Sequence, residues 1–99
     1  MDYKIIWDDE AIHELGQVVR YIAADNPVAA ERTARIIFHK IENLASFPRI
    51  GRVFSKLSRD DVREIPVPPY RIIYHVKDVE RVVRILKVWH SARREPEIK

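Results

Sequence analysis

The sequence has 99 residues, of which 46% are hydrophobic and 33% are charged, enough for one domain of residues 1–99 with a modest core. The absence of cysteine excludes a disulfide framework, a thiol nucleophile and a cysteine zinc site. Residues 1–48 contain five Lys/Arg and eight Asp/Glu, whereas residues 49–99 contain thirteen and seven, so the net charge of +3 comes from a basic second half.

A short strand and a helix are predicted at the start of the chain. Residues 3–7 are typical of a strand, and the acidic run 8–10 then supplies an N-cap and first-turn carboxylates for a helix. Helix capping explains this run better than acid/base catalysis does, because apolar residues at helical spacing follow it up to Ile22.

A second helix is predicted directly after the first. Asn26 and Pro27 end the first helix and start the next, whose apolar stripe includes Ile37 and Ile41. This helix is expected to end near Phe47, because a proline follows and disfavours helix at the residue before it. The very short connection predicts an antiparallel helical hairpin.

The second half of the chain is predicted to form strands. Residues 48–61 are expected to be irregular, and residues 62–67 form a strand. A hairpin of β-branched and aromatic residues follows, with strands at 70–76 and 82–90 and a turn at 77–81. The tail, 91–99, is expected to be loosely held. The order is therefore β-α-α-β-β-β, an α+β domain with an N-terminal helical hairpin packed on a small antiparallel sheet.

Several kinds of chemistry find no support in the sequence. The four histidines lack the spacing and the carboxylate company of a metal site, so no metal is predicted. With two glycines in the chain, no glycine-rich nucleotide-binding loop is possible, and no cofactor is predicted. The start of the chain lacks a signal-peptide pattern, and no apolar run approaches the roughly 20 residues that span a bilayer. A cytoplasmic protein with no membrane partner is expected.

The strands carry an unusual number of cations. Such a surface suits a nucleic acid, a nucleoprotein or an acidic protein segment as partner. A metal-free ribonuclease is one possibility, with His90 as the titratable group and Arg71 or Arg63 as the stabiliser of phosphorane charge. The alternative is a solvated face that protects edge strands from aggregation. Further candidates for binding an anionic target are Arg59, Arg84, Lys87, Arg93 and Arg94.

Several segments, in their order and spacing, resemble the RelE/ParE superfamily of bacterial toxins, also known as plasmid stabilisation proteins. They are Trp7 to Ala11, Val19 to Ile22, Asn26 to Ala30, Leu44 to Arg52, Val62 to Pro66, Tyr70 to Tyr74 and Ile85 to Arg93. The resemblance implies two N-terminal helices on a small antiparallel sheet. It also implies a toxin that is held inactive by a cognate antitoxin encoded by a neighbouring gene.

The resemblance implies a docking surface for the antitoxin beside the helices and the sheet. Antitoxins of this kind usually wrap an extended or helical segment around the toxin, and such coupled folding can bury a large surface. The apolar candidates for this contact are Ile12, Leu15, Val19 and Trp89, although Trp89 on a central strand also suits a core position.

The superfamily contains two branches with different targets. RelE-like members cut messenger RNA on the ribosome; Arg71 matches one of their active-site residues, but Ser91 stands where an arginine is expected and no tyrosine follows Tyr74. ParE-like members poison DNA gyrase, and the segments 48–51 and 88–93 are similar to theirs. The resemblance favours a non-enzymatic gyrase inhibitor. The alternatives are a ribosome-dependent mRNA endoribonuclease that uses Arg71, Arg63 and His90, and a non-toxic binding protein of the same fold.

Overall fold

The computed structural model describes residues 2–98 and shows two helices packed on one face of a five-stranded sheet. The elements in chain order are β1 (Lys4–Trp7), α1 (Asp9–Ala23), α2 (Pro27–Asn43), β2 (Arg52–Val53), β3 (Val62–Val67), β4 (Tyr70–Lys77) and β5 (Val82–His90). The α+β class and the helical hairpin on the sheet, both predicted from the sequence, are confirmed. Neither helix of the described chain is long and apolar enough to cross a membrane.

The strands lie in the order β1-β5-β4-β3-β2. Strands β2 to β5 form antiparallel pairs, whereas β1 runs parallel to β5, with Lys4 opposite Val82. The sheet that was predicted to be antiparallel is therefore antiparallel except at β1. The two helices between the first strand and the rest provide the long crossover that a parallel pair requires. The short β2 lies in the segment expected to be irregular, with Arg52 opposite Glu64.

One helix cap and one helix boundary differ from the sequence prediction. Asp8 occupies the N-cap position of α1, but its side chain makes no capping hydrogen bond and pairs with Arg84 on β5 instead. Helix α2 is capped as expected, since the Asn26 side chain accepts a hydrogen bond of 3.0 Å from the backbone N–H of Ala29. It ends at Asn43 rather than near Phe47. Hydrogen bonds there tighten to i→i−3 geometry, beginning at Leu44, and turn the chain away.

The sheet buries apolar residues on both faces. The helix face, against which α1 and α2 pack, contributes Ile72, Tyr74 and Ile85 to a cluster with Ile37 and Ile41 of α2. The opposite face, called the tail face because residues 94–98 lie against it, carries a smaller cluster. Its buried members are Phe54, Val62 and Ile73, and Leu57, Leu86, Trp89 and Ile98 pack around them.

A β-bulge in β5 changes which residues share a face. Ile73 pairs with Lys87 and Tyr74 pairs with Ile85, so Leu86 is an extra residue. Before the bulge Arg84 lies opposite His75, and strict alternation from Arg84 would place His90 on the same tail face. The bulge shifts the alternation by one residue, so His90 lies opposite Tyr70 on the helix face.

Candidate functional site

Arg71 and Lys87 are the two buried cations of the sheet. Arg71 lies on β4. Its side chain is 10% exposed and lies on the tail face, 6.0 Å from the centroid of the Phe54 ring. Its Nη1 donates to Glu64 Oε1 at 3.0 Å and its Nη2 donates to Glu95 Oε1 at 2.8 Å, while Nε has no hydrogen-bond partner among residues 2–98. The guanidinium charge is therefore held between two carboxylates of the same chain.

Glu95 reaches Arg71 because the tail crosses the sheet. Pro96 is buried and Ile98 packs on the Phe54 cluster. The Trp89 indole N–H donates to the carbonyl of Arg94 at 3.0 Å, and Lys56 Nζ donates to the carbonyl of Pro96 at 3.4 Å. These contacts belong to the segment 91–99 that was predicted to be loosely held, and they cover Arg71 on the tail face.

Arg63 lies on β3, beside the edge strand β2, and fastens the loop before β3. Its Nη1 donates to the carbonyls of Gly51 at 2.8 Å and Arg49 at 3.2 Å, and its Nη2 pairs with Asp60. Within the same loop, the backbone N–H of Gly51 donates to the Tyr74 hydroxyl at 3.0 Å. Arg63 thus donates hydrogen bonds to backbone carbonyls at the point where the loop at Gly51 passes close to Tyr74.

His90 lies apart from both arginines. Its ring meets Tyr70 edge-on with centroids 5.3 Å apart, and its Nδ1 accepts the backbone N–H of Ala92 at 3.1 Å. Because of the bulge, His90 is on the helix face while Arg71 is on the tail face. The structure therefore does not bring His90, Arg71 and Arg63, the three candidates for catalysis, to one place.

Most cations that were candidates for binding a target have carboxylate partners in the chain. Arg59 pairs with Asp61 at 2.8 Å, Arg84 pairs with Asp8, and Lys87 pairs with Glu10 and Glu14 of α1. Arg93 and Arg94 have no carboxylate partner within residues 2–98. The Arg93 guanidinium instead lies 5.1 Å from the centroid of the Trp89 ring. These two arginines are the target-binding candidates that remain available to an external anion.

The four apolar candidates for antitoxin binding do not form one surface. Ile12 is 55% exposed on α1, whereas Leu15 packs against the main core. Val19 is half-buried on the same helix. Trp89 belongs to the cluster on the tail face, which the sheet separates from α1. Ile12 and Val19 are accessible together, and Trp89 faces a different side of the molecule.

The acidic partners of these cations escaped sequence reasoning. Glu64 is 3% exposed and is the one carboxylate of β3, in which Arg63 is the only other charged residue, a signal that could have indicated a buried ion pair with the cation on the neighbouring strand. Asp61, which accepts from Arg59 and lies 2.8 Å from His75 Nε2, carried no such signal. No group of three His, Asp or Glu side chains within residues 2–98 is arranged to hold a metal ion.

Ion pairs of the 49–61 loop predict a loss of stability in acid. Arg49 and the Tyr3 hydroxyl lower the pKa of Asp78 to about 2, and Arg49 and Arg63 lower the pKa of Asp60. A carboxyl with a lowered folded-state pKa stabilises the protein above its unfolded pKa of about 4, and this contribution disappears as the pH falls through the folded value. We expect stability to fall between about pH 4 and pH 2.

Urea unfolding at a series of pH values tests this expectation. Asp78→Asn should flatten the decline between about pH 4 and pH 2, because the variant has no carboxyl to protonate there. Asp25→Asn, at an exposed carboxylate without an ion pair in the described chain, serves as the control and should keep the wild-type profile. An unchanged acid profile for Asp78→Asn would contradict the assignment.

Comparison with known proteins shows to which family the chain is similar. The profile described as "ParE toxin of type II toxin-antitoxin system, parDE" matches residues 5–95. The chain is 33% identical to Toxin RelE2 of Caulobacter vibrioides over 90 residues, which cover 91% of this chain and 97% of the relative.

Two solved structures share the fold. The chromosomal ParDE system from P. aeruginosa superposes with a TM-score of 0.73 at 16% identity, covering 89% of this chain and 95% of the other. The intact E. coli RelBE toxin-antitoxin complex superposes with a TM-score of 0.65 at 21% identity, covering 92% of this chain and 99% of the other.

Proposed function

The chain belongs to the ParE toxin family of type II toxin-antitoxin systems, within the RelE/ParE superfamily, and we propose that it stops growth by inhibiting DNA gyrase without catalysing a reaction itself. The match to the ParE family and the gyrase target of ParE-like toxins support this choice. A cognate antitoxin from a neighbouring gene is its proposed partner, as in the toxin-antitoxin complexes that share its fold.

The main support for this proposal is that Arg71, Arg63 and His90 lie far from one another in the fold. A metal-free ribonuclease needs a base, an acid and charge stabilisers around one phosphate, each within hydrogen-bond reach. Here Arg71 and His90 lie on opposite faces of the sheet, and Arg63 is engaged by loop carbonyls. The Arg71 guanidinium is also neutralised by Glu64 and Glu95. This arrangement favours a binding protein over an RNA-cleaving enzyme.

Arg93 and Arg94 are the proposed contacts to the target. They follow β5 on the exposed start of the tail and have no carboxylate partner in the described chain. Cations without internal partners contribute most to steering and to charge complementarity at an interface. The proposal thus assigns target binding to this end of the molecule, and it assigns structural ion pairs to Arg59, Arg84 and Lys87.

A supercoiling assay with purified gyrase tests the proposal. The wild-type protein should inhibit supercoiling of plasmid DNA and trap cleavage complexes. The double variant Arg93→Glu/Arg94→Glu should need at least tenfold more protein for the same inhibition, since reversing two charges at an interface is expected to cost about 1.4 kcal/mol or more. Arg35→Glu, at an exposed position on α2, is the matched control and should inhibit like the wild type.

Two assays can contradict the proposal of gyrase inhibition. Unchanged supercoiling and no trapped complexes at any protein concentration would contradict gyrase inhibition. Primer extension on translated mRNA is run in parallel, and new 5′ ends that disappear in Arg71→Ala would assign the chain to the RNA-cleaving branch instead. If neither assay responds and induction is harmless to bacteria, the non-toxic binding protein of the same fold is the function that remains.

A further inference from the structure

The backbone of Arg93 and Arg94, the two proposed target contacts, is held by the end of β5 on both sides. On the near side, the Ala92 N–H donates to His90 Nδ1 at 3.1 Å and the Arg93 N–H donates to the His90 carbonyl at 3.0 Å, which forms a turn. On the far side, the Arg94 carbonyl accepts the Trp89 indole N–H at 3.0 Å. The two arginines therefore occupy a defined position although their side chains are exposed.

The segment that follows these arginines is anchored at two further points. Glu95 Oε1 accepts from Arg71 Nη2 at 2.8 Å, and the Arg71 side chain below it is 10% exposed. Three residues later, Ile98 packs on the apolar cluster of the tail face, and Pro96 between them is buried. The charge-assisted contact adds geometric specificity to the apolar one, so the pair of anchors determines where the tail lies on the sheet.

Glu95 differs in its surroundings from Glu97, the next acidic side chain of the tail. Glu97 is 84% exposed and lies 3.3 Å from Lys56 Nζ, a kind of exposed pair that contributes little to stability. Glu95 instead contacts a buried guanidinium that it shares with Glu64. The tail thus contains one carboxylate that anchors it and one that does not.

The order of the tail matters for any partner that the two arginines contact. Immobilising a long side chain at an interface costs conformational entropy, and this cost is lower when the side chain is already ordered before binding. The Arg93 guanidinium lies 5.1 Å from the centroid of the Trp89 ring, and the indole N–H of the same ring holds the Arg94 carbonyl. Both arginines are therefore ordered in advance, provided that the tail stays docked.

We propose that Glu95 is a positioning residue: by pairing with Arg71 it keeps the tail docked and holds Arg93 and Arg94 in the geometry that contacts the target. The role assigned to Glu95 rests on the proposed function, in which these two arginines bind the target. Without this carboxylate the arginines keep their charge but lose their fixed position. Arg71, a candidate for catalysis in the sequence, acts here as the anchor of the tail.

The gyrase supercoiling assay tests this role with two matched variants. Glu95→Ala should need about fivefold more protein for the same inhibition, because the arginine side chains must then be ordered on binding. Glu97→Ala removes the same charge from the same segment and should inhibit at least as well as the wild type, since the loss of an acidic side chain does not weaken the attraction of arginines to an anionic surface. Glu95→Gln, which keeps an acceptor for Arg71, should lie between Glu95→Ala and the wild type.

A double-mutant cycle separates positioning from a general effect on the fold. Arg93→Ala/Arg94→Ala should inhibit less than the wild type, and adding Glu95→Ala should cause no further loss, because Glu95 acts through these arginines. Hydrogen exchange at the Trp89 indole N–H measures docking of the tail directly. Exchange should be faster in Glu95→Ala than in the wild type and unchanged in Glu97→Ala.

Each contrary result has its own meaning. If the wild type does not inhibit gyrase, the proposed function fails and the role of Glu95 fails with it. If the wild type inhibits, the positioning role alone is overturned by Glu95→Ala inhibiting equally well, by equal losses for Glu95→Ala and Glu97→Ala, or by an undiminished effect of Glu95→Ala when both arginines are absent. Indole exchange that is equally fast in the wild type and Glu95→Ala overturns it as well.

Discussion

Replacing Arg71 with alanine is expected to lower the free energy of unfolding by about 3 to 5 kcal/mol. The change leaves Glu64, whose side chain is 4% exposed, without its 3.0 Å partner in the interior of the sheet. Arg52, which is 3.5 Å from the same carboxylate, is 73% exposed and provides a weaker substitute. An uncompensated buried charge is among the costliest defects that one substitution can make. Urea unfolding at pH 7 measures the effect.

A double variant separates the charge from the lost packing. Adding Glu64→Gln to Arg71→Ala removes the stranded carboxylate and should recover part of the stability, because an amide costs less to bury than a charge. Arg35→Ala breaks an ion pair whose side chains are 71% and 75% exposed and should cost about 0.5 kcal/mol or less. A loss below about 1 kcal/mol for Arg71→Ala would show that the pair does not hold the tail face together.

Replacing Gly51 with alanine is expected to cost about 3 kcal/mol. A Cβ at this position would lie 2.6 Å from the carbonyl oxygen of Glu64, 2.6 Å from the Tyr74 hydroxyl and 2.9 Å from Ile65 Cγ2. None of these atoms is at the end of a flexible side chain, so the loop must move and its hydrogen bond to Tyr74 is strained. Thermal or urea unfolding gives the loss directly.

The second glycine of the chain is a matched control. At Gly16, in the middle of α1, an added Cβ would lie 3.1 Å from Nη1 of Arg20, which is the far end of a flexible side chain. Gly16→Ala should therefore stabilise the protein by about 0.5 to 1 kcal/mol through helix propensity. Equal effects of the two substitutions would contradict the conclusion that there is no room for a Cβ at Gly51.

Local patterns account for the part of the fold that the sequence predicted correctly. The helical spacing up to Ile22, the Asn26 cap and the strand-forming hairpin all depend on neighbours within a few residues. The carboxylate partners of the cations, in contrast, lie far away in the sequence. Asp8 and Arg84 are 76 residues apart and Glu10 and Lys87 are 77 apart, so the acidic run looked like a helix cap when its members also pair with β5.

The face of the sheet on which each β5 residue lies could not be predicted from the sequence either. A period of two, continued from Arg84 to His90, would place His90 with Arg71 and support a shared active site. The extra residue Leu86 reverses that period, and nothing in the sequence around it, such as a glycine, marks the bulge. One bulge therefore separates two of the three residues that were candidates for catalysis.

The parallel pairing of β1 with β5 has a consequence for the synthesis of the protein. Lys4 and Trp7 find their strand partners in Val82 and Ile85, near the end of the chain. The helices likewise pack on strands that are translated after them, so a growing chain displays their apolar faces with nothing to cover them. Incomplete chains therefore cannot assemble the domain. The domain can form only after β5 has been translated, and a ribosome that stalls upstream of β5 leaves a chain whose apolar helix faces are uncovered.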